Sequence, residues 1–125
     1  MSEKHPEIVI VGSGAMGALF GSILFENGRK VILYDINREH VQAIQQNGLQ
    51  IEGYGGNRTV PIKATTDLGH LESSDILIFQ CKAHGTRDAA RAVKHLVRKQ
   101  SVCISFQNGL GNEEVISEEI GKDFV

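Results

Sequence analysis

Short apolar runs alternate with amphipathic stretches along the chain. The runs EIVIV, KVILYD and DILIFQC are continuous and rich in β-branched residues, a pattern typical of strands buried on both faces of a sheet. Between them, apolar residues recur at helical spacing. We predict strands at residues 7–11, 30–35, 49–52, 58–62, 75–81 and 101–106, and helices at residues 15–27, 38–46, 86–97 and 113–120.

Strands that alternate with helices predict parallel βαβ units, with helices covering both faces of one sheet. The expected fold class is therefore α/β, a Rossmann-type, doubly wound and mostly parallel sheet. Residues 49–52 and 58–62 are predicted to add a short β-hairpin insertion. Phe124 and Val125 resemble the opening of a further strand. We therefore expect residues 1–125 to be one domain that stops before a second domain.

Composition narrows the class of protein. The 125 residues are 41% hydrophobic with a net charge of −2, which fits a globular domain and argues against a nucleic-acid binder. No apolar stretch approaches the roughly 18 residues of a membrane span, and the polar start, MSEKHPE, does not resemble a signal peptide. The 2 cysteines suggest no disulfide framework, and the 5 histidines lack metal-ligand spacing. We expect a cytoplasmic protein with no metal site.

A glycine-rich motif follows the first predicted strand and opens the first predicted helix. In this context G-x-G-x-x-G is typical of a dinucleotide site, because backbone N–H groups at a helix start bind a diphosphate. The first glycine permits the tight turn, the second lets the diphosphate approach, and the third allows close helix packing. The alternative is a tight turn without a ligand. The predicted cofactor-binding residues here are Gly12, Ser13, Gly14, Ala15, Met16 and Gly17.

Asp35 ends the second predicted strand, about 20 residues after the motif, as the fingerprint requires. We expect its carboxylate to accept hydrogen bonds from the adenosine ribose hydroxyls. This favours NAD over NADP, because a 2′-phosphate would meet a like charge. Arg38 could still reach such a phosphate. The alternative role for Asp35 is a helix N-cap.

Lys82 and Asn108 follow two later strands, and open α/β sheets bind ligands outside the carboxyl ends of their strands. Lys82 is a candidate for contact with a cofactor or a carboxylate, the alternative being a solvated loop lysine. Asn108 offers an amide donor and acceptor, and its neighbour Gly109 allows close approach. The alternative is a turn into a helix capped by Asn112.

The chain resembles the N-terminal half of the ketopantoate reductases, also called 2-dehydropantoate 2-reductases, from residue 7 to residue 125. The resemblance rests on the stretches GSGAMG, NGLQIEG, CKAHGT and QNGLGNEE. It implies hydride transfer from a reduced nicotinamide to a small 2-keto acid, in pantothenate biosynthesis. It also implies that Lys82 contacts the cofactor near the active site, and that Asn108 lies between nicotinamide ribose and substrate.

Two departures from the family qualify this interpretation. Most members of the family resemble enzymes that use NADPH, often with an arginine shortly after the second strand. This chain has Asp35 and Ile36 there. NADP is thus favoured by the resemblance and NAD by Asp35. The family's general-acid lysine lies in a helical second domain, so we expect no catalytic residue in this chain, with Lys82 and Asn108 only lining the site. The chain alone is expected to be inactive, and a homo-oligomer is possible.

Other functions fit the same motif. A regulatory module that senses NAD(H) for a transporter or channel would share the glycine loop and the acid. It would not need Lys82 or the QNG turn. Another hydroxyacid or polyol-phosphate dehydrogenase would keep the chemistry and change the substrate.

Overall fold

A five-stranded parallel sheet forms the centre of the computed structural model, which describes residues 4–12, 14–52, 56–81, 85–106 and 111–125. The elements in chain order are β1 (Ile8–Val11), α1 (Ala15–Glu26), β2 (Val31–Tyr34), α2 (Arg38–Asn47), β3 (Leu49–Ile51), β4 (Arg58–Val60), β5 (Lys63–Thr65), β6 (Ile76–Phe79), α3 (Thr86–Val93), β7 (Val102–Ser105) and α4 (Asn112–Ile120).

The strand order in the sheet is β5-β2-β1-β6-β7, and every neighbouring pair is parallel. The chain runs outward from β1 through β2 to β5, returns beside β1 as β6, and continues to β7. This is the doubly wound α/β arrangement predicted from the sequence. Its change of direction lies between β1 and β6, at the carboxyl ends of the two strands. Ligands of open α/β sheets bind at such a point.

Both faces of the sheet are buried, which explains why its strands are continuously apolar. In β1, Ile8 and Ile10 face a core that also contains Ala18 of α1 and Val41 of α2. The alternate residues of β1 face a second core built with α3 and α4, whose members include Ala90, Val93 and Ile116. All four β1 side chains are buried. The sheet therefore separates two cores, each closed by helices.

The predicted hairpin is present as the antiparallel pair β3 and β4, in which Leu49 pairs with Val60. Helix α2 ends just before it, at Gly48, whose φ of 80° is a conformation that favours glycine. Leu49, Ile51 and Val60 are buried in the same core as Ile44 of α2. The hairpin thus covers an edge of the α1 and α2 side of the core, as a small separate sheet.

Most predicted elements are confirmed, with ends that shift by a few residues. The strand β5 was not predicted, because its three residues, KAT, are too few to show an apolar run or a sustained alternation, and it forms by pairing with β2. The helix predicted at residues 86–97 ends at Val93 and continues as a 3₁₀ turn, Lys94–Leu96. No helix in the described part of the chain is long and apolar enough to cross a membrane.

The strand expected at Phe124 and Val125 is wrong. Gly121, with φ of 127°, ends α4, and a 3₁₀ turn follows at Lys122–Phe124. The ring of Phe124 packs against the core beside α3 and α4. An aromatic residue next to a β-branched one suggested a strand, but burial of this ring against the neighbouring helices favours a tight turn.

Candidate functional site

Gly12 follows β1 directly and lies against the strand next to it. Its φ is 101°, a region that side chains rarely adopt. A Cβ atom at Gly12 would also lie 2.5 Å from the backbone nitrogen of Cys81, which follows β6. Its own N–H donates to the carbonyl of Tyr34 at 2.8 Å. Both conformation and packing therefore require glycine here, and the turn joins the ends of three adjacent strands.

Gly17 lies one turn into α1 and is required by packing alone. A Cβ atom there would overlap the carbonyl oxygen of Gly12 and would lie 3.2 Å from a methyl carbon of Ile10. Gly21, one turn further, would bring its Cβ to 2.7 Å from Leu33. These two glycines let α1 lie directly on β1 and β2, which agrees with the helix-packing role predicted for this face.

Gly14 differs from the other motif glycines, because nothing in the described protein requires it. Its backbone, with φ of −65° and ψ of −176°, is ordinary extended backbone that any residue adopts. A Cβ atom there would meet no atom within 4 Å. Gly14 is the N-cap of α1, and its carbonyl accepts from the N–H of Ala18 at 2.8 Å. The start of this helix therefore faces open space.

The N-terminal end of α1 also suits an anion electrostatically. The first turn of a helix presents N–H groups without intrahelical partners and the positive end of the helix dipole. Helix α1 has no acidic residue in its first turn and no side-chain cap at Gly14. These donors remain available to a ligand that approaches over Gly14.

A cavity of about 410 Å³ adjoins this helix start. It lies at the carboxyl ends of β1, β2 and β6 and extends to the first turns of α3. Its described lining carries the carboxylates of Asp35 and Asp88 and no lysine or arginine. The lining residues are Val11, Gly12, Gly14, Tyr34, Asp35, Ile36, Gln80, Cys81, Gly85, Asp88 and Ala89.

Asp35 lies at the mouth of this cavity, half-buried, directly after β2. Its Oδ1 accepts a hydrogen bond from the N–H of Asn37 at 2.9 Å. The N-cap of α2 is Asn37, whose side chain accepts from the N–H of His40 at 3.1 Å. The alternative role of Asp35 as a helix N-cap is therefore wrong. The neighbouring Ile36 also lines the cavity and is 83% exposed. A large apolar side chain therefore lies at the cavity mouth.

The titratable groups deeper in the cavity are held neutral. Burial raises the pKa of the Tyr34 hydroxyl, and the charge of Asp35 raises it further. Burial also raises the pKa of the Cys81 thiol, while a hydrogen bond with Thr86 opposes that shift. The thiolate is the nucleophilic form of cysteine, and a raised pKa disfavours it. Cys81 therefore lines the cavity as a neutral thiol and not as a nucleophile. The fixed charges of the lining are the carboxylates.

A buried hydrogen bond connects the two helices that follow β6 and β7. Thr86, the first residue of α3, is 0% exposed, and its Oγ1 donates to Oδ1 of Asn112 at 3.3 Å. The alternative in which Asn112 caps α4 is wrong, because the N-cap is Gly111, with φ of 87°, and Asn112 is the first helical residue. Its side chain points instead to α3. The pair fixes the starts of α3 and α4 against each other.

The structure places the remaining predicted residues as follows. Met16 is 55% exposed and lines a second cavity of about 590 Å³, which shares Gly14 and Asp35 with the first. Ser13, Lys82 and Asn108 lie outside the described residues, as does the side chain of Ala15. Arg38 is exposed on α2 and is absent from the lining of the first cavity.

Sequence reasoning missed Gln80 and Asp88, which line the cavity beside the predicted residues. The signal for Gln80 was its position at the end of a buried strand. The signal for Asp88 was weaker, because an acid in the first turn of a helix has an ordinary role there. A further cavity, of about 740 Å³, lies along α2 and β5 and is lined by no predicted site residue.

A parallel doubly wound sheet with its glycine turn after the central strand defines a Rossmann-type α/β protein. The model of the family described as ketopantoate reductase PanE/ApbA matches residues 8–125. The chain belongs to this family. The family suggested by the sequence motifs is thereby confirmed.

Individual relatives agree with this assignment. The chain is 40% identical over 117 residues to a 2-dehydropantoate 2-reductase of Pyrococcus abyssi, an alignment that covers 93% of this chain and 37% of the relative. It is 30% identical over 118 residues to the enzyme of that name from Lactococcus lactis, with 93% of this chain and 38% of the relative covered. The chain thus spans well under half the length of these curated relatives.

Solved structures show the same likeness. A 2-dehydropantoate 2-reductase from Geobacter metallireducens superposes with a TM-score of 0.82 at 30% identity, covering 91% of this chain and 38% of that one. A ternary structure of D-mandelate dehydrogenase with NADH and anilino(oxo)acetate gives a TM-score of 0.80 at 30% identity, covering 90% of this chain and 37% of that one.

The buried pair between α3 and α4 generates a prediction about stability. Thr86→Val keeps the shape of the side chain but removes the donor to Asn112, and we expect it to lower the free energy of unfolding by about 1–3 kcal/mol. The measurement is equilibrium denaturation by urea. Thr59→Val makes the same exchange at an exposed position of β4 and is expected to change stability by less than about 0.5 kcal/mol. Equal stability of both variants would contradict the structural role of the pair.

Proposed function

We propose that this chain binds a nicotinamide dinucleotide and supplies the cofactor-binding half of a reductase. The reductase would convert a 2-keto acid to a 2-hydroxy acid by hydride transfer from NAD(P)H, with ketopantoate as the first candidate substrate. Family membership supports the reaction, and the geometry of the glycine turn and its cavity supports the cofactor. Because the chain spans about 37% of the relatives' length, the activity is proposed for a protein that contains this domain.

The observation on which the proposal depends is the open space at Gly14. Gly12 and Gly17 are explained by the protein's own conformation and packing, but Gly14 is not. A ligand that contacts the backbone there explains the glycine, since any side chain would occupy its place. The free N–H groups of the first turn of α1 supply donors for an anion, and a dinucleotide diphosphate has the required charge.

The rest of the cavity suits the adenosine part of a dinucleotide. With the diphosphate over Gly14, the adenosine ribose falls near Asp35, whose carboxylate can accept from two ribose hydroxyls. The apolar side chain of Ile36 and the backbone at the start of α3 can then contact the flat adenine base. The structures of D-mandelate dehydrogenase contain NADH, and this chain resembles that protein over most of its length.

When bound, the reduced nicotinamide supplies the hydride for the ketone carbon. The role of this chain's residues is to hold and orient the dinucleotide at the carboxyl edge of the sheet. We propose that Lys82 contacts the cofactor close to the substrate, and that Asn108 lies between the nicotinamide ribose and the substrate. Both assignments follow from the family motifs CKAHGT and QNGLGNEE.

A related enzyme with another 2-keto acid is the second candidate. The likeness to D-mandelate dehydrogenase, at 30% identity, favours it, because that protein is also a 2-hydroxyacid dehydrogenase. The two candidates share cofactor and chemistry and differ in the side group of the substrate. Comparing kcat/KM for ketopantoate and for phenylglyoxylate, in a protein that contains this domain, separates them.

The glycine motif yields a paired prediction about binding and stability. Gly14→Ala adds a methyl group in open space, so we expect stability to fall by less than about 1 kcal/mol. The same methyl group would meet the diphosphate and weaken NADH binding about tenfold or more. Gly17→Ala overlaps the carbonyl of Gly12 and is expected to cost about 1–3 kcal/mol of stability.

Calorimetric titration with NADH and thermal denaturation of both variants measure these effects. Absence of binding of both NADH and NADPH by the unmodified chain would overturn the proposed function. Undiminished binding by Gly14→Ala would show that the dinucleotide does not lie over the start of α1.

Cofactor preference yields the next prediction. The lining of the cavity carries carboxylates and no described cation, so we propose that NADH binds at least about tenfold more tightly than NADPH, whose 2′-phosphate would lie beside Asp35. Asp35→Asn keeps an oxygen that can accept from Asn37 and removes the charge. We expect it to reduce the preference severalfold. Tighter binding of NADPH than of NADH by the unmodified chain would contradict this assignment.

A further inference from the structure

Asp88 is a carboxylate of the 410 Å³ cavity that the proposed function does not use. It lies in the first turn of α3, exposed, on the side of the cavity opposite the end of β2. Asp35, by contrast, is already engaged by the N–H of Asn37. No hydrogen bond or ion pair of the Asp88 carboxylate is recorded with another described residue. A hydrogen-bond acceptor therefore lines the cavity without a protein donor in the described part of the chain.

The order of the groups in a dinucleotide determines what would meet Asp88. The diphosphate lies over Gly14 and the ribose at Asp35, so the base continues in the same direction, away from the diphosphate. That direction leads past Ile36 to the first turn of α3, where Gly85 and Ala89 line the cavity. The apolar side chain of Ile36 suits one face of the base, and Asp88 lies at its edge.

We propose that Asp88 recognises the base, its carboxylate accepting a hydrogen bond from the exocyclic 6-amino group of adenine. This inference rests on the proposed function and identifies the base that the site selects. An ionised carboxylate is an acceptor only, so it pairs with an amino group and opposes an oxo group. The site therefore discriminates between 6-amino and 6-oxo purines, and Asp88 determines the choice.

Asp88 also has an ordinary structural role, since an acid in the first turn of a helix stabilises the helix through its dipole. That role affects the stability of α3 and the affinity for every dinucleotide alike. It does not change the ratio of affinities for two dinucleotides that differ only at position 6 of the purine. This ratio is therefore the readout that separates recognition from helix stabilisation.

The experiment titrates the 125-residue chain with NADH and with its hypoxanthine analogue, in which an oxo group replaces the 6-amino group. Calorimetry suits this protein because the chain has no tryptophan whose fluorescence could report binding. We expect the unmodified chain to bind NADH about tenfold more tightly than the analogue. This ratio corresponds to the lower end of the range for a hydrogen bond to a charged group, because Asp88 is exposed. In Asp88→Asn the amide can offer either a donor or an acceptor, so the ratio is expected to fall to about one.

Asp75→Asn is the matched control, because it removes the same charge from an exposed aspartate at the opposite, N-terminal end of β6. It is expected to keep the tenfold ratio. Equal binding of the two dinucleotides by the unmodified chain, or an unchanged ratio in Asp88→Asn, overturns the role of Asp88 and leaves the proposed function intact. Failure of both NADH and NADPH to bind overturns the role of Asp88 and the proposed function together.

Discussion

The contact between the turn after β1 and the first turns of α1 is the constraint on which the site depends. Gly17 lies so close to the carbonyl oxygen of Gly12 that there is no room for a methyl group between them, and Gly12 lies almost as close to the backbone of Cys81. Because no side chain intervenes, the start of α1 lies directly above the junction of β1 and β6. The same closeness leaves Gly14 exposed at the N-terminal end of α1, where the first N–H groups of a helix have no intrahelical partner. A tightly packed turn thus leaves the start of α1 open, at the place where we propose that the diphosphate binds.

The doubly wound sheet places the other parts of the site around this turn. Its change of direction between β1 and β6 brings the end of β2, the end of β6 and the start of α3 to one cavity. The buried bond from Thr86 to Asn112 fixes α3 against α4. Arg87 and Arg91 of α3 both pair with Glu119 of α4, whose side chain is 16% exposed, and Arg87 also pairs with Glu118. The buried bond and this ion-pair network both connect the two helices.

Much of this architecture could be predicted from the sequence, because its strands are apolar on both faces and its glycines mark a known turn. The strand β5 could not, since KAT becomes a strand only through its pairing with β2. The hydrogen bond between Asn112 and Thr86 could not be predicted either, because the two residues are 26 positions apart and nothing in the local sequence indicates their contact. Within the site, the turn and Asp35 follow from spacing. Asp88 required the structure, which shows that the start of α3 and the end of β2 line the same cavity.

The most direct test of this account is the change in backbone amide NMR shifts of the chain on titration with NADH. The largest changes are expected at the start of α1, including Gly14, at Asp35 and Ile36, and in the first turn of α3. Residues of the 740 Å³ cavity, such as Gly48 and Lys63, are expected to change little. Changes concentrated at Gly48 and Lys63, with Gly14 and Asp35 unaffected, would contradict the assignment of the dinucleotide to the glycine turn.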